Sequence, residues 1–390
     1  MRILIVHNHY QQAGGEDEVF RAEAALLRQH GHSVLTLTTE NGDVSGLRSL
    51  AAARDTLWST RFHRVLTATL RRDRPDVAHF HNTFFRVSPA AYYACRNAGV
   101  PVVQTLHNYR LMCPAATFYR DGRVCEDCIG SAIASPGIRR GCYRGSRVQT
   151  AVVAGMLTMH RSLGTWQRCV DRYIATTEFA RAKFIAGGLP AEKITVKPNF
   201  CPADPGVGLG EGGYALFVGR LSAEKGIGTL MNAWRRLGRP VPLYIAGDGP
   251  QAASVKEFVG KTDRCHWLGW QPKEAVAELL RNATCLIVPS ECYETFGLVI
   301  AEAYAAGLPV VGSRLGSIGA AIDDRRTGLH ANPGDPGDLA AKVEWVFSHP
   351  HERAEMRAHA RAEFEAKYTA ERNHQMLTEI YDQVRSVAAR

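Results

Sequence analysis

Two glutamates eight positions apart mark the stretch 288–312 of this 390-residue chain. An apolar run at 285–288 predicts a buried strand, and the polar loop after it carries Glu294. We expect a helix to follow, with Glu302 about two turns inside, ~11 Å further along. A helix N-terminus between two carboxylates can bind an anion through its N–H groups while the carboxylates bind hydroxyls. This spacing fits a sugar–pyrophosphate–ribose chain.

Other predicted strands in the second half of the chain are followed by basic residues or glycines. Such residues suit a ligand site at a strand end. Parallel strands of one sheet bring such ends to a common edge. The candidates at this edge are Gly219, Arg220, Lys225, Gly247, Gly249 and Trp270. Arg and Lys neutralise a departing diphosphate, and carboxylates accept hydrogen bonds from vicinal hydroxyls. With no Asp-x-Asp pattern at a strand end, a metal-free reaction of a nucleotide-diphosphate sugar is the simpler interpretation.

The first half of the chain offers strand-end candidates of its own. Gly14 and Gly15 separate a strand at 3–6 from a helix, so the backbone can approach a ligand closely there. His81 and His107 each follow an apolar strand, and Asn199 follows the strand at 194–196. Because a single histidine is more often structural than functional, each also has a purely structural interpretation.

Length and composition indicate a globular protein of two domains. A chain of 390 residues is too long for one ordinary core, and 45% apolar and 22% charged residues are typical of globular proteins. The apolar runs are shorter than a membrane span, and the N-terminal one is too short for a secretory signal. We therefore expect a cytoplasmic protein.

Charge is distributed unevenly along the chain. Residues 1–199 hold 26 basic and 15 acidic side chains, whereas the remainder holds 21 basic and 23 acidic ones. A basic first half is consistent with an anionic membrane surface, a lipid-phosphate acceptor, non-specific nucleic-acid binding, or a solvated surface without a partner. We expect no specific nucleic acid as partner. Peripheral attachment to the inner face of the membrane is compatible with the expected cytoplasmic location.

A segment at 110–145 interrupts the strand–helix alternation and carries four of the ten cysteines. Cys113, Cys125, Cys128 and Cys142 have the spacing C-x11-C-x2-C-x13-C. A central C-x2-C with one cysteine on each side suits a four-thiolate structural zinc site. The outer spacings are not those of a common zinc finger, so unmetallated thiols and a redox pair remain open.

The order of the predicted elements indicates an α/β protein with two doubly wound domains. A formal G-x-G-x-x-G at 208–213 precedes a strand instead of opening a helix, so it is not a dinucleotide fingerprint. We predict a basic helical region at 44–74 and long helices at 148–170 and 350–388. The helix at 148–170 is either packed in the core or in contact with a membrane. The expected divisions are a first domain at 1–199 with the insertion 110–145, a linker at 200–213, a second domain at 214–365 and a C-terminal helix at 366–390.

The second domain resembles the retaining glycosyltransferases of family 4, which have the GT-B fold. The segments that carry this resemblance are VGRLSAEKG, AGDGP and PSECYETFGLVIAEAYAAGLPVVGS, with a looser match to AGGED, the His107 strand end and KPNF. The resemblance implies two Rossmann-like domains facing each other across a cleft, with a C-terminal helix that crosses back to the first domain. The cysteine-bearing insertion is similar to one branch of the family only.

The resemblance also implies roles for individual residues. Glu294 would bind hydroxyls of the donor sugar, Glu302 would bind the ribose, and Arg220 with Lys225 would stabilise the departing diphosphate. His107 would lie beside the transferred sugar. The remaining implied donor-binding residues are Gly14, Gly15, Asn199, Gly219, Gly247, Gly249, Trp270, Thr295, Phe296, Gly297 and Leu298.

The leading hypothesis is a retaining, metal-independent hexosyltransferase with a front-face mechanism. It would transfer a sugar from a UDP- or GDP-sugar to a glycan or lipid-linked acceptor, as in polysaccharide or lipopolysaccharide biosynthesis. No cofactor is expected for catalysis, with structural zinc as the one open metal. The alternatives are a GT-B nucleotide-sugar epimerase, which needs no acceptor, and a non-enzymatic basic adaptor for membranes or nucleic acid.

Overall fold

The computed structural model describes residues 1–10, 14–41 and 47–388. The chain divides into two units. Unit 1 consists of Met1–Phe118, Glu126–Pro198 and Asn373–Arg390, and unit 2 consists of Tyr119–Cys125 and Asn199–Arg372. The chain thus leaves unit 1 at Pro198 and returns to it at Asn373. Within the described residues, no helix combines the length and apolar character needed to cross a bilayer.

Unit 1 is built on a six-stranded parallel sheet with the strand order β2-β1-β3-β4-β7-β8. Its central strands are almost fully buried, as expected when helices cover both faces of a parallel sheet. The elements up to Pro198 are β1 (Arg2–His9), α1 (Gly15–Gln29), β2 (Ser33–Glu40), α2 (Leu47–Leu57), α3 (Thr60–Asp73), β3 (Val77–Asn82), α4 (Ala90–Asn97), β4 (Val102–Leu106), β5 (Tyr119–Arg120), β6 (Arg123–Val124), α5 (Ser135–Arg140), α6 (Arg147–Ser162), α7 (Thr165–Arg168), β7 (Arg172–Ala175), α8 (Glu178–Ala186) and β8 (Ile194–Val196).

Unit 2 contains a second six-stranded parallel sheet, with the order β11-β10-β9-β12-β13-β14. Buried apolar clusters cover both faces of this sheet, one around Trp234 and Val343 and the other around Tyr304 and Phe364. The elements are β9 (Ala215–Val218), α9 (Ile227–Arg236), β10 (Leu243–Ala246), α10 (Ala252–Val259), β11 (Cys265–Gly269), α11 (Lys273–Asn282), β12 (Cys285–Val288), α12 (Leu298–Ala305), β13 (Val310–Ser313), α13 (Gly316–Ala321), β14 (Gly328–Ala331), α14 (Pro336–Ser348), α15 (Pro350–Lys367) and α16 (Ala370–Ala388).

The last helix, α16, belongs to unit 1. Leu377, Ile380 and Tyr381 are buried in the same cluster as Ile5 of β1 and Phe20 of α1. An apolar stripe at helical spacing explains this packing, because residues three to four positions apart share one face. The predicted α/β architecture and the return of the C-terminal helix to the first domain are both confirmed.

Two of the long predicted helices are interrupted. The helix predicted at 148–170 ends at Ser162, because Gly164 takes a left-handed conformation (φ 64°) and only the four-residue α7 follows. Its apolar residues Met156 and Leu157 are buried, as the core interpretation expects. The helix predicted at 350–388 consists of α15 in unit 2 and α16 in unit 1, separated around Tyr368.

Several elements differ in extent from the sequence expectation. The helical region predicted at 44–74 contains α2 and α3 with a break at Trp58–Ser59, while residues 44–46 lie outside the described residues. The predicted loop-rich insertion contains the β5–β6 hairpin and the short α5. The sixth strand of unit 2, β14, was not predicted, since its sequence GLHA contains no β-branched or aromatic residue and no apolar run.

Candidate active site

The centre of the candidate site is an ion pair between two loops at adjacent strand ends of unit 2. Lys225 lies in a short 3-10 turn after β9, and Glu294 lies in the loop between β12 and α12. Strands β9 and β12 are neighbours in the sheet, so both loops lie at its carboxyl edge. The Lys225 Nζ pairs with Oε1 of Glu294, which also accepts a hydrogen bond from Ser290 Oγ at 2.9 Å. The structure therefore brings two of the predicted site residues together.

Each charge of this pair shifts the pKa of the other. Burial acts to raise the pKa of Glu294, but the Lys225 ammonium outweighs it and holds that pKa below its ordinary value. Burial acts to lower the pKa of Lys225, and the Glu294 carboxylate reverses the direction, so the pKa is raised. Both groups are therefore charged at neutral pH. The Lys225 side chain is still 31% exposed, which leaves room for a ligand at the ammonium.

Gly226 allows the two loops to approach each other. A Cβ at this position would lie 1.9 Å from the carbonyl oxygen of Pro289, and its φ of +73° is in the left-handed region. Any other residue would push the Lys225 turn away from the loop that carries Glu294. Sequence reasoning missed this role, although the glycine directly after Lys225 was its signal.

A second set of hydrogen bonds, which the sequence did not predict, supports the same two loops. The backbone N–H of Glu291 donates to the Glu224 carbonyl at 2.9 Å. Thr229 Oγ1 donates to the Glu291 carboxylate at 2.6 Å, and Tyr119 of the β5–β6 hairpin contacts its other oxygen at 3.4 Å. Burial, followed by the Glu291 carboxylate, raises the pKa of Tyr119 to about 12. These bonds hold the loop from β12 at a fixed position beside the Lys225 turn.

Helix α12 begins later than the sequence indicated. Gly297 is its N-cap in a left-handed conformation (φ 90°), and a Cβ there would lie 2.6 Å from Ile318 Cδ1. Residues 294–296 are consequently a loop, and Glu302 lies a little more than one turn inside the helix instead of two. Glu302 is half-buried. The pKa of Cys201 is raised to about 12, mainly because the thiol is buried and secondly because the Glu302 carboxylate is close to it.

The predicted glycine positions of unit 2 lie where strand ends meet. The Gly219 N–H donates to the Ala246 carbonyl at 3.0 Å, and the Gly247 N–H donates to the Gly269 carbonyl at 2.7 Å. The ends of β9, β10 and β11 therefore meet at one edge, where Gly249 continues the turn after β10. A ligand-binding role for these glycines remains a prediction.

The other predicted residues of unit 2 differ in exposure. Arg220 is exposed at the tip of β9, and Trp270 is 74% exposed after β11. Phe296 packs into the core against Tyr368, so only its backbone is available to a ligand. Asn199 is buried, and its Oδ1 has no hydrogen-bond partner among the described residues. Thr295 and Leu298 flank the start of α12 and are half-buried.

In unit 1, Gly14 and Gly15 lie at the start of α1, beside the end of β1. The Gly14 N–H donates to Asp17 at 2.9 Å, and the same carboxylate contacts His7 Nε2 at 2.9 Å and His9 Nδ1 at 2.6 Å. Burial acts to raise the pKa of Asp17, but these three hydrogen bonds hold it well below its usual range. The turn before α1 is thus anchored to the strand end.

His107 follows β4 at the carboxyl edge of the unit 1 sheet. Its Nε2 lies 2.9 Å from Nδ1 of His81, the residue at the end of the neighbouring β3. Burial holds the pKa of both imidazoles well below the ordinary value, so both are neutral at pH 7. Both histidines line a pocket within unit 1, together with Asn82, Asn108 and Arg110. The sequence predicted His107 as a site residue and named His81 as a strand-end candidate without a specific role.

The four cysteines of the insertion differ in burial. Cys113 and Cys128 are buried, whereas Cys125 and Cys142 are half-buried. Two other groups of three side chains have potential ligand atoms within 4.8 Å of one another, His7–His9–Asp17 and Glu23–His79–His81, and the cysteines are in neither. Structural zinc at these cysteines stays a prediction.

Two six-stranded parallel sheets, with a C-terminal helix returned to the first unit, are the arrangement of the GT-B fold of glycosyltransferases. Family models support this class. The model for a glycosyl transferase 4-like domain matches residues 14–199, and the model for glycosyl transferases group 1 matches residues 208–363. The two models together cover most of the chain, which therefore belongs to this family of glycosyltransferases.

Individual relatives agree with this assignment. The chain is 29% identical to a glycogen synthase of Mycobacterium tuberculosis, over 90% of this chain and 87% of the relative. Among solved structures, HepE of Anabaena in complex with UDP superposes with a TM-score of 0.70 at 17% identity, covering 98% of this chain and 100% of that one. A sucrose-phosphate synthase of Thermosynechococcus elongatus gives a TM-score of 0.74 at 17% identity, with 99% of both chains covered.

Proposed function

We propose that this glycosyltransferase is a retaining hexosyltransferase that uses a UDP- or GDP-sugar and needs no metal ion for catalysis. The observation that carries the proposal is the half-exposed Lys225–Glu294 ion pair beside the N-terminus of α12. A front-face reaction builds negative charge on the departing diphosphate, which a fixed cation and helix N–H groups stabilise. Arg220, exposed at the end of β9, would contribute the second positive charge.

The ion pair does not have to break when a donor binds. A lysine ammonium has three N–H donors, so Lys225 can retain Glu294 and still donate to a diphosphate oxygen. A carboxylate has about four lone-pair sites, so Glu294 can accept hydrogen bonds from sugar hydroxyls in addition to those from Lys225 and Ser290. The cation in this position takes the charge-neutralising role that Mg²⁺ has in metal-dependent transferases. Transfer should therefore continue in the presence of EDTA.

Uridine is the base that the comparisons favour. The Anabaena protein has been solved with UDP and with UDP-glucose, and its fold covers nearly the whole of this chain. In this proposal Glu302 binds the ribose hydroxyls, since its half-buried carboxylate lies in α12, whose first turn would hold the diphosphate.

Calorimetric titration with UDP and with 2′,3′-dideoxy-UDP tests this assignment. Hydrogen bonds to a charged group contribute ~1.5–3 kcal/mol, so Glu302→Ala should weaken UDP binding by at least about 10-fold. The same variant should leave the affinity for dideoxy-UDP nearly unchanged, because that ligand lacks the hydroxyls. Equal losses for both ligands would show that Glu302 does not bind the ribose. Parallel titrations with GDP decide the base.

A product assay separates transfer from the other reactions of GT-B proteins. Incubation of a UDP-sugar panel with glycan acceptors should release nucleotide only when acceptor is present, and NMR of the product should show the anomeric configuration of the donor. An epimerase would change the donor without any acceptor. An inverted anomer would contradict the retaining mechanism.

The acceptor and its location follow from the charge of the first half of the chain. The excess of basic residues at 1–199 supports a lipid-linked glycan at an anionic surface, and hence a peripheral position on the cytoplasmic face of a membrane. Vesicles of anionic lipid should bind the protein at low salt and release it as salt increases. Equal binding to neutral vesicles would contradict an electrostatic attachment.

A further inference from the structure

A row of buried ionisable side chains in unit 1 leads from β8 to His107. Lys197, directly after β8, places its Nζ 2.6 Å from Oε1 of Glu23 in α1, and both side chains are fully buried. The other oxygen of Glu23 lies 3.4 Å from Nε2 of His81, whose Nδ1 contacts His107 Nε2 at 2.9 Å. The row therefore consists of Lys197, Glu23, His81 and His107 in that order.

The charge state of the row follows from burial. Lys197 and Glu23 form a salt bridge at 2.6 Å, so they are a cation and an anion in contact. Burial holds the pKa of His79 at about 4 and the pKa of His81 and His107 well below the ordinary value. A neutral imidazole carries one N–H and one lone pair, and its hydrogen-bond partners decide which nitrogen has the proton.

The partners of His81 determine its tautomer. Nε2 of His81 lies 3.4 Å from the Glu23 carboxylate oxygen, a close contact without hydrogen-bond geometry. A lone pair on Nε2 at this distance would be repelled by the carboxylate in a buried environment, whereas an N–H is attracted. His81 thus has its proton on Nε2 and its lone pair on Nδ1. The 2.9 Å contact then requires His107 to donate from Nε2, and the lone pair of His107 is left on Nδ1.

Bound metal is a poorer explanation of the same residues. Glu23, His79 and His81 have ligand atoms within 4.8 Å, but the Lys197 ammonium already neutralises the carboxylate. His79 uses both nitrogens, with Tyr381 at 2.8 Å and Thr105 at 2.7 Å. A dication in this place would have to displace these bonds and would be repelled by Lys197.

We propose that Glu23, His81 and Lys197 are positioning residues that hold His107 in the Nε2–H tautomer, with its lone pair on Nδ1. Lys197 pairs with Glu23, Glu23 fixes the proton of His81, and His81 orients His107. The catalytic consequence rests on the proposed function, in which His107 lies beside the transferred sugar. The tautomer itself rests only on the contacts within unit 1.

NMR of the protein with ¹⁵N-labelled histidine tests the tautomer without any substrate. His160 is an internal reference, because its Nε2 lies 2.9 Å from the Leu57 carbonyl, to which only an N–H can donate. Long-range ¹H–¹⁵N spectra at pH 7 should show His107 and His81 with the same Nε2–H pattern as His160. A His107 signal with the proton on Nδ1, or with both nitrogens protonated, would overturn the proposal.

Two substitutions of His81 test the consequence for transfer. His81→Leu removes the acceptor, while His81→Asn can keep an amide oxygen near the former Nδ1 position. His81→Leu should lower kcat about 10- to 100-fold, the scale of removing a hydrogen-bond partner from a functional histidine, with the donor KM unchanged. His81→Asn should restore most of kcat and the Nε2–H signal of His107.

The outcomes separate this proposal from the proposed function. Wild-type protein that transfers no sugar would refute the proposed function, while the NMR spectra would still decide the tautomer. Active protein in which His81→Leu and His81→Asn have equal kcat would overturn the positioning role. Thermal melting of both variants identifies any loss of folded protein, and kcat is then expressed per folded molecule.

Discussion

The two units each contain a lysine–glutamate ion pair, and the pairs differ in their access to solvent. Lys197 and Glu23 of unit 1 are 0% exposed, whereas Lys225 and Glu294 of unit 2 are 31% and 16% exposed. The first pair connects the strand end after β8 to the middle of α1, and the second connects two loops. A ligand cannot reach an ion pair that has no solvent access. An ion pair at the open edge of a sheet can bind a ligand while its two charges stay in contact.

This difference assigns the two pairs to different tasks. A buried ion pair gives little net stability, because the attraction between its charges is offset by the cost of desolvating them, but loss of one partner is expensive. A half-exposed pair contributes little to folding, and its charges remain available to a diphosphate and to hydroxyls. We therefore expect unit 1 to lose stability and unit 2 to lose activity when the respective pair is broken.

The largest expected effect is the loss of stability on removal of Glu23. Glu23→Ala leaves the Lys197 ammonium buried without a counter-charge, which should lower the free energy of unfolding by ~3–5 kcal/mol. Denaturant unfolding of the variant and the wild type measures it. The double variant Glu23→Leu with Lys197→Met is the matched control, since it removes both charges and should recover most of the loss. A double variant as unstable as the single one would contradict this account.

The second effect concerns turnover. Lys225→Ala should reduce kcat by at least ~100-fold, the scale of losing one group that stabilises developing charge. The free energy of unfolding should fall by less than about 1 kcal/mol, because the pair is partly exposed. Initial rates of transfer and denaturant unfolding measure the two quantities. A large loss of stability with little loss of turnover would contradict the assignment of the Lys225–Glu294 pair to activity.

The sequence made the unit 2 site predictable to a large extent, because its residues lie within short motifs at strand ends. Glu294 and Lys225 were named from their motifs, and the structure places them in contact. The position of Glu302 along α12 was predicted wrongly, because Gly297 was assigned to the helix. Gly297 has a left-handed conformation, and the space a side chain there would need is occupied by Ile318, which is distant in the chain.

The unit 1 network was not predictable in the same way. Glu23 and Lys197 are 174 positions apart, and a glutamate inside an amphipathic helix normally faces solvent. Only the fold shows that this face of α1 lies over the ends of β3 and β8. The histidines of β3 were visible as HFH, but the sequence alone gives no pairing between His81 and His107.

A third, smaller effect involves Glu16, a half-buried carboxylate of unit 1. Burial is the main cause that raises the pKa of Glu16 to about 8, although Asn108 donates a hydrogen bond to it at 3.2 Å. Glu16 is therefore protonated in the folded protein at neutral pH and ionised in the unfolded chain. Between pH 4.5 and 8 the folded state binds more protons, so stability should fall as pH rises.

Glu16→Gln tests this dependence, because the amide cannot ionise. The variant should match the wild type below pH 4.5 and exceed its free energy of unfolding by roughly 1–2 kcal/mol near pH 8, with partial exposure reducing the full linkage. Denaturant unfolding at a series of pH values measures the difference. A difference that is constant with pH would show that the carboxyl group has an ordinary pKa.

The smallest expected effect comes from an exposed ion pair of unit 2, which serves as the control for the other two ion pairs. Lys261 and Glu257 form an ion pair four positions apart in and just after α10, and both side chains are 71% exposed. Such pairs are screened by solvent and held by flexible side chains, so Lys261→Ala should change kcat less than about twofold and leave the melting temperature nearly unchanged. Transfer assays beside Lys225→Ala provide the comparison. Because both substitutions remove one lysine from unit 2, a similar loss of kcat in both would mean that net charge, and not the position of Lys225, controls turnover.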